Sequence, residues 1–306
     1  MKAAVARDLT GPSGVTYTDV DDIADEVDGA VVIDVRAAGV CFPDLLMTRG
    51  EYQLKVPPPF VPGSEAAGIV RSAPEESRYR PGDRVAAFTM LGGFAERVAV
   101  PPAHVVPTPV GVGADEAAAL LGNYYTMYFA LARRGALRPG ETVLVLGSAG
   151  GVGTAAVQVA RALGARVIAA VHRAAAVDYV CSLGADEVVP LTAGWLHVVR
   201  ERTGGLGVDM VVDPVGGDVF DDAIRALKPE GRLLVIGFAA GGIPTVKVNR
   251  LLLRNVGVIG VAWGEFLAKN PEAFDLFGYG VGQLVHGGLR PPPPVRYPLS
   301  EAAAAL

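Results

Sequence analysis

Beyond residue 140 the chain alternates solid apolar runs with amphipathic stretches. ETVLVLG (141–147), RVIAAVH (166–172), DEVVPL (186–191), VDMVVDPVG (208–216) and RLLVIGF (232–238) are dense in Val, Ile and Leu. Such runs suit strands covered on both faces. Between them, 151–165, 173–185, 195–204 and 218–231 read as helices. Strict alternation of strand and helix predicts α/β architecture with a doubly wound parallel sheet. A further apolar stretch lies within 244–266, placed to form the edge of that sheet.

Residues 1 to about 120 have a different rhythm. AVVIDVRAAGV (30–40), AAGIVRSA (66–73), RPGDRVAAF (80–88) and GFAERVAVP (93–101) read as strands, with Pro-Gly and Gly-Gly at the turns. This front region is all-β or irregular α+β. The alanine-rich segment 113–137 follows as a helix, with Asp115 as the expected N-cap and Tyr124, Tyr128 and Leu131 at helical spacing.

Composition narrows the function classes. The 306 residues are 51% hydrophobic and 19% charged, which supplies cores for about two domains and excludes disorder as the main state. The net charge of −5 argues against nucleic acid, because phosphate binding needs a basic surface. With Cys41 and Cys181 as the two cysteines, a reducing cytoplasmic location is expected. No apolar run reaches the length of a membrane span, so no membrane insertion is expected.

The most specific motif is VLVLGSAGGVGTAAVQ (143–158), in which a strand runs through a glycine turn into a helix. The G-x-G-x-x-G register falls on Ser148, Gly150 and Gly153, with serine first. Small residues let the backbone approach a pyrophosphate, and a helix N-terminus supplies amides and a positive dipole end. Gly151 and Val152 complete the candidate phosphate cradle. The next strand ends in Val171-His172-Arg173, without the acid that binds a ribose 2′-hydroxyl in NAD sites. Arg173 suits a 2′-phosphate, so NADPH is expected over NADH, with His172 beside it. Arg173 as a solvated residue at a helix start is the alternative.

The segments AAGVCFPDLLMTRGEY (37–52), PGSEAAGIV (62–70), PGDRV (81–85), GGFAE (92–96), GSAGGVG (147–153) and VDPVGGDVFDDAIRALKPEGRLLVIGFA (212–239) occur in the order used by the medium-chain dehydrogenase/reductases. The chain resembles their zinc-free quinone oxidoreductases, related to zeta-crystallin, in the bacterial branch. The resemblance implies a GroES-like β-rich catalytic domain over 1–122 and 267–306. It implies a Rossmann domain over 123–266, and NADPH in the cleft between the two.

The zinc alcohol dehydrogenases of that superfamily take their catalytic ligands from three places. Cys41 occupies the first, but Ser64 stands where the second has histidine and Gly122 where the third has cysteine. The four-cysteine structural lobe is missing as well. A catalytic zinc needs three protein ligands and an open position, so no metal is expected. His104, His172, His197 and His286 are scattered and lack ligand spacing.

The remaining chemistry is hydride transfer to an acceptor that delocalises the incoming charge, a quinone or a conjugated enone. The resemblance assigns Tyr52 as proton donor, with a packing tyrosine as the alternative. It assigns Asp44 to orienting the site, with a turn cap as the alternative. Cys41 is read as a cleft-lining thiol and Phe42 as an apolar wall. Asn123 is assigned to the nicotinamide carboxamide, Tyr124 to the pocket, Thr126 to the ribose side, and Gly237-Phe238 to the nicotinamide-contacting loop. Trp263 lines the cleft or packs. The 244–266 edge is expected to pair two subunits into a homodimer. Two other functions stay open: an enoyl-thioester reductase, and a non-enzymatic NADPH-binding protein. Ser300 begins a short final helix, after which relatives usually continue to a last strand; whether the chain is truncated stays open.

Overall fold

The chain opens with two strands, β1 (Lys2–Ala6) and β2 (Val15–Asp19), paired antiparallel. Five more, β3 (Val31–Gly39), β4 (Glu65–Ser72), β5 (Arg84–Phe88), β6 (Arg97–Val100) and β7 (Val105–Pro107), form an antiparallel sheet in the order β6-β3-β4-β5-β7. One face buries Ile33, Val70, Tyr79, Val85 and Val98. β3, β4 and β5 each bury three or four consecutive residues, so both faces of the sheet are covered there. The computed structural model describes residues 1–306.

Six strands make the parallel sheet: β8 (Thr142–Val145), β9 (Arg166–Val171), β10 (Glu187–Pro190), β11 (Val208–Asp213), β12 (Leu227–Val235) and β13 (Gly257–Gly260). Their order is β10-β9-β8-β11-β12-β13, with every pair parallel. Numbered from β8, this is the 3-2-1-4-5-6 order of a Rossmann sheet, with its switch point between β8 and β11. Leu144, Leu146, Ile168, Val211 and Leu233 are fully enclosed at its centre. β13 lies at the edge, at the position expected for the 244–266 strand.

Two compact units result. One comprises 1–122, 270–282 and 290–306, and the other 123–269 and 283–289. The segment 283–289 thus groups with the parallel sheet, whereas the boundary read from sequence leaves it with the front region.

Several local expectations change. The cap of the helix at Ala114–Ala118 is Gly113, not Asp115. Glu116 accepts the Gly113 amide at 2.9 Å, while Asp115 pairs with Arg296. The helix expected over 218–231 ends at Ala226, and β12 begins at Leu227. Pro229, which has no amide to donate, and Glu230, at a φ of +64°, do not continue a helix. A helix over Ala273–His286 is an addition to the sequence reading, although Phe274, Phe277, Val281 and Val285 recur along one face and are buried. No helix is long and apolar enough to cross a membrane.

Candidate active site

In the front unit the end of β3 runs into Cys41, and the helix Phe42–Thr48 starts there. Asp44, in its first turn, reaches back and accepts the Cys41 amide at 2.7 Å. Its other oxygen accepts the Ser64 hydroxyl at 2.5 Å. Asp44 is fully buried with both oxygens engaged. It therefore caps the turn and ties the start of the helix at Cys41 to Ser64. The Cys41 thiol, also buried, donates to Glu65 Oε1 at 2.9 Å. Glu65 Oε2 accepts the Gly122 amide at 2.6 Å. Tyr52 lies half-buried against the cluster of Met47, Phe60 and Phe94, and its amide donates to the Leu46 carbonyl at 3.3 Å. Phe42 is exposed.

Burial governs the charges here. It lifts Asp44 to about 6 against hydrogen bonds from Ser64 and the backbone, and lifts Glu65 to about 7 against those from Cys41 and Gly122. Burial, then the nearby Glu65 and Asp44 charges, push the Cys41 thiol well above its ordinary range. The folded protein thus holds more protons on Asp44 and Glu65 than the unfolded chain between about pH 4 and pH 7. Their contribution to stability is full below about pH 4 and is lost as pH rises through 6 to 7. Melting temperature is expected to fall as pH rises from about 4 to about 7 and to level off above that. Calorimetry across that range checks the trend, and Glu65→Gln should make it shallower, leaving the part due to Asp44.

In the other unit β8 leads into Gly147, at a φ of +58°, and the helix Gly151–Ala162 begins after Gly150 with no side-chain cap. Gly150 and Gly151 are exposed, Val152 is half-buried and Gly153 is buried against the turn. A Cβ on Gly153 would lie 2.2 Å from the Gly147 carbonyl oxygen, so only glycine allows this closure. Ser148 faces inward, fully buried. Its hydroxyl lies 2.7 Å from the Val145 carbonyl and 3.1 Å from that of Ala170. Its side chain thus braces the strand ends, leaving a phosphate to the backbone. The Asn123 carboxamide lies over Gly151, 2.9 Å from where a Cβ would stand. Thr126 follows, half-buried. These residues lie at or beside a wide π-type turn, Leu121–Tyr125, a distortion common at functional positions. Tyr124 is buried and its hydroxyl donates to Gln158 at 2.6 Å. Trp263 is packing, buried against Tyr125, Phe129 and Phe266.

His172 and Arg173 are exposed at the end of β9. Gly237-Phe238 follows β12, with Phe238 exposed. Two residues that sequence reasoning did not single out set this loop. Asp213 Oδ1 accepts the amides of Val215 and Gly216 at 2.9 and 2.8 Å. A Cβ on Gly216 would lie 3.1 Å from the Phe238 ring. The signal was present in VDPVGG, but as part of a pattern rather than as a role.

Residues 27–110 match the alcohol dehydrogenase GroES-like domain, and 151–278 match the zinc-binding dehydrogenase domain. A quinone oxidoreductase-like protein 2 from Bos taurus is 40% identical over 251 residues, 80% of this chain and 71% of the relative. The chain is a medium-chain dehydrogenase/reductase of the quinone oxidoreductase group. Within this family, a probable oxidoreductase from Mycobacterium abscessus superposes with a TM-score of 0.93 at 59% identity, covering 100% of this chain and 94% of that one. The quinone oxidoreductase of Thermus thermophilus, whose solved structures include a complex with NADPH, superposes at 0.82 with 37% identity and coverages of 100% and 94%.

The second domain's description implies zinc, and the residues here do not fit it. Of the three ligand positions in the zinc members, Cys41 alone carries a ligating side chain. Ser64 donates to Asp44, and Gly122 offers only backbone. No group of three or more His, Cys, Asp or Glu side chains is arranged to hold a metal ion.

Proposed function

We propose that this medium-chain dehydrogenase/reductase is an NADPH-dependent, zinc-independent reductase of quinones or conjugated enones. The observation that carries the reading is the Gly147–Gly153 turn. It is closed by a glycine that admits no Cβ, and it opens an uncapped helix at the switch strand of a Rossmann sheet. The NADPH complex of the Thermus thermophilus relative supports the cofactor. The bound dinucleotide supplies the hydride. The chain's own groups do the rest. The amides at the start of Gly151–Ala162 bind the pyrophosphate, and Arg173 meets the 2′-phosphate. Asn123, Thr126 and the Phe238 loop orient the nicotinamide end. Tyr52 gives its phenolic proton to the acceptor oxygen as hydride reaches the conjugated carbon.

Side-by-side NADPH oxidation assays with 1,4-naphthoquinone, a simple enone and crotonyl-CoA test this. Quinone or enone turnover supports the reading, preference for crotonyl-CoA shifts it to thioester reduction, and tight NADPH binding without turnover overturns it. Arg173→Ala is expected to lower the preference for NADPH over NADH by about tenfold, the size of one charge-assisted contact. Unchanged preference in kcat/KM would remove Arg173 from the site. We also place the protein in the cytoplasm as a homodimer, paired through the open edge of β13, whose unpaired backbone groups suit strand addition. Light scattering is expected to give twice the chain mass, and Val258→Pro to give the monomer.

A further inference from the structure

Glu65 is buried at the first residue of β4, and two separate segments close on its carboxylate. The Cys41 thiol, beyond the end of β3, donates to one oxygen at 2.9 Å. The Gly122 amide, in the π-type turn, donates to the other at 2.6 Å. Two glycines make the room. A Cβ on Gly39 would stand 2.3 Å from Glu65 Oε1 and 2.6 Å from the Ala118 carbonyl oxygen. A Cβ on Gly122 would stand 3.0 Å from Cys41 Sγ and 3.4 Å from both Glu65 oxygens. The space that a ligand side chain at position 122 would need is thus taken by a carboxylate and a thiol.

In the zinc members a metal links the segments at positions 41, 64 and 122. Here a side chain links 41 to 122. We propose that Glu65 is a positioning residue that replaces the metal as the cross-link, pinning the Cys41 thiol and the Gly122 amide. Through Cys41, whose amide is held by Asp44, it fixes the helix Phe42–Thr48 that leads to Tyr52. A buried carboxylate hydrogen-bonded on both oxygens is a rigid junction, because moving either donor leaves a buried polar group unpaired. The same contact keeps the thiol protonated, so Cys41 serves as a donor rather than a nucleophile. The link to Tyr52 rests on the reductase reading above; the junction itself does not.

The test compares wild type, Glu65→Gln and Glu65→Ala by hydrogen exchange, by iodoacetamide labelling and by turnover, with exposed Cys181 as internal reference for labelling. In wild type, Cys181 should label and Cys41 should stay protected. In Glu65→Ala, Cys41 labelling and exchange of the Gly122 amide should each rise about tenfold, with segment 141–171 unchanged. Glu65→Gln keeps an acceptor for Gly122 and removes the charge. It should restore Gly122 protection and move Cys41 labelling to lower pH, and it decides the matter if the alanine variant does not fold. With NADPH and an active acceptor, kcat should fall in Glu65→Ala while NADPH affinity holds. Unchanged Cys41 labelling and Gly122 exchange would overturn the proposal, as would one zinc per wild-type chain that is lost in Glu65→Ala. Absence of turnover in wild type would defeat the reductase reading, while labelling and exchange would still judge Glu65.

Discussion

Gly153→Ala should abolish tight NADPH binding and destabilise the parallel-sheet unit. The added methyl would lie 2.2 Å from the Gly147 carbonyl oxygen and 2.6 Å from Ser148 Cα. Both are backbone atoms, so no rotamer change relieves the clash. The helix Gly151–Ala162 must move away from the turn, at a cost of about 1–3 kcal/mol for an overpacked site. That movement pulls the helix N-terminus from the phosphate it is meant to face, and affinity should fall at least about tenfold. Gly150→Ala separates the two effects. Its Cβ would meet nothing closer than the Gly147 carbonyl oxygen at 3.5 Å, and its φ of −80° suits any residue. This variant should keep its melting temperature and still bind NADPH about tenfold more weakly, because the ligand's own approach is blocked. Calorimetry and fluorescence titration measure both quantities. Gly153→Ala with unchanged stability and affinity would show that the turn is not a cradle.

Tyr52→Phe should lower kcat by about a hundredfold, the usual contribution of a general acid. Dinucleotide affinity should be unchanged, because no part of the phosphate cradle is touched. Phenylalanine keeps the ring that packs against Met47 and Phe60, so the melting temperature should move by no more than about 2 °C. If kcat falls less than about threefold, too little for a lost general acid, Tyr52 is a packing residue and the proton comes from elsewhere. A quinone and an enone should respond differently. An enone, whose carbonyl oxygen becomes an enolate oxygen when hydride adds to the β-carbon, needs the proton more than a quinone, whose reduced ring is aromatic.

The central part of the parallel sheet was legible in the sequence because β8, β9 and β11 are covered on both faces and are therefore largely apolar. β8, β9 and β11 needed no knowledge of their neighbours to be recognised. Helix ends were less legible. Asp115 has the chemistry of a cap, but Gly113 holds that place and Arg296 takes the carboxylate. The end at Ala226 precedes Pro229, a breaker present in the sequence, and Glu230, whose positive φ only the structure shows. The helix Ala273–His286 carries its apolar spacing openly in the sequence.

The candidate site divides in the same way. Sequence alone determined the glycine register from Gly147 to Gly153, the lack of an acid after β9, and the loss of metal ligands at Ser64 and Gly122. Each of these is a residue type at a position, and local order within a short window is enough to state it. Only the tertiary structure decided that Ser148 faces inward, that Asp213 shapes the turn under Phe238, and that Glu65 joins Cys41 to Gly122. Those partners lie 22, 3, 24 and 57 residues apart along the chain. Asp213 is near its partner in sequence, yet its effect on Phe238 depends on β11 lying beside β12. A hydrogen bond acts over about 3 Å. The strand order, set by burial across the whole sheet, decides which distant residues come within that reach.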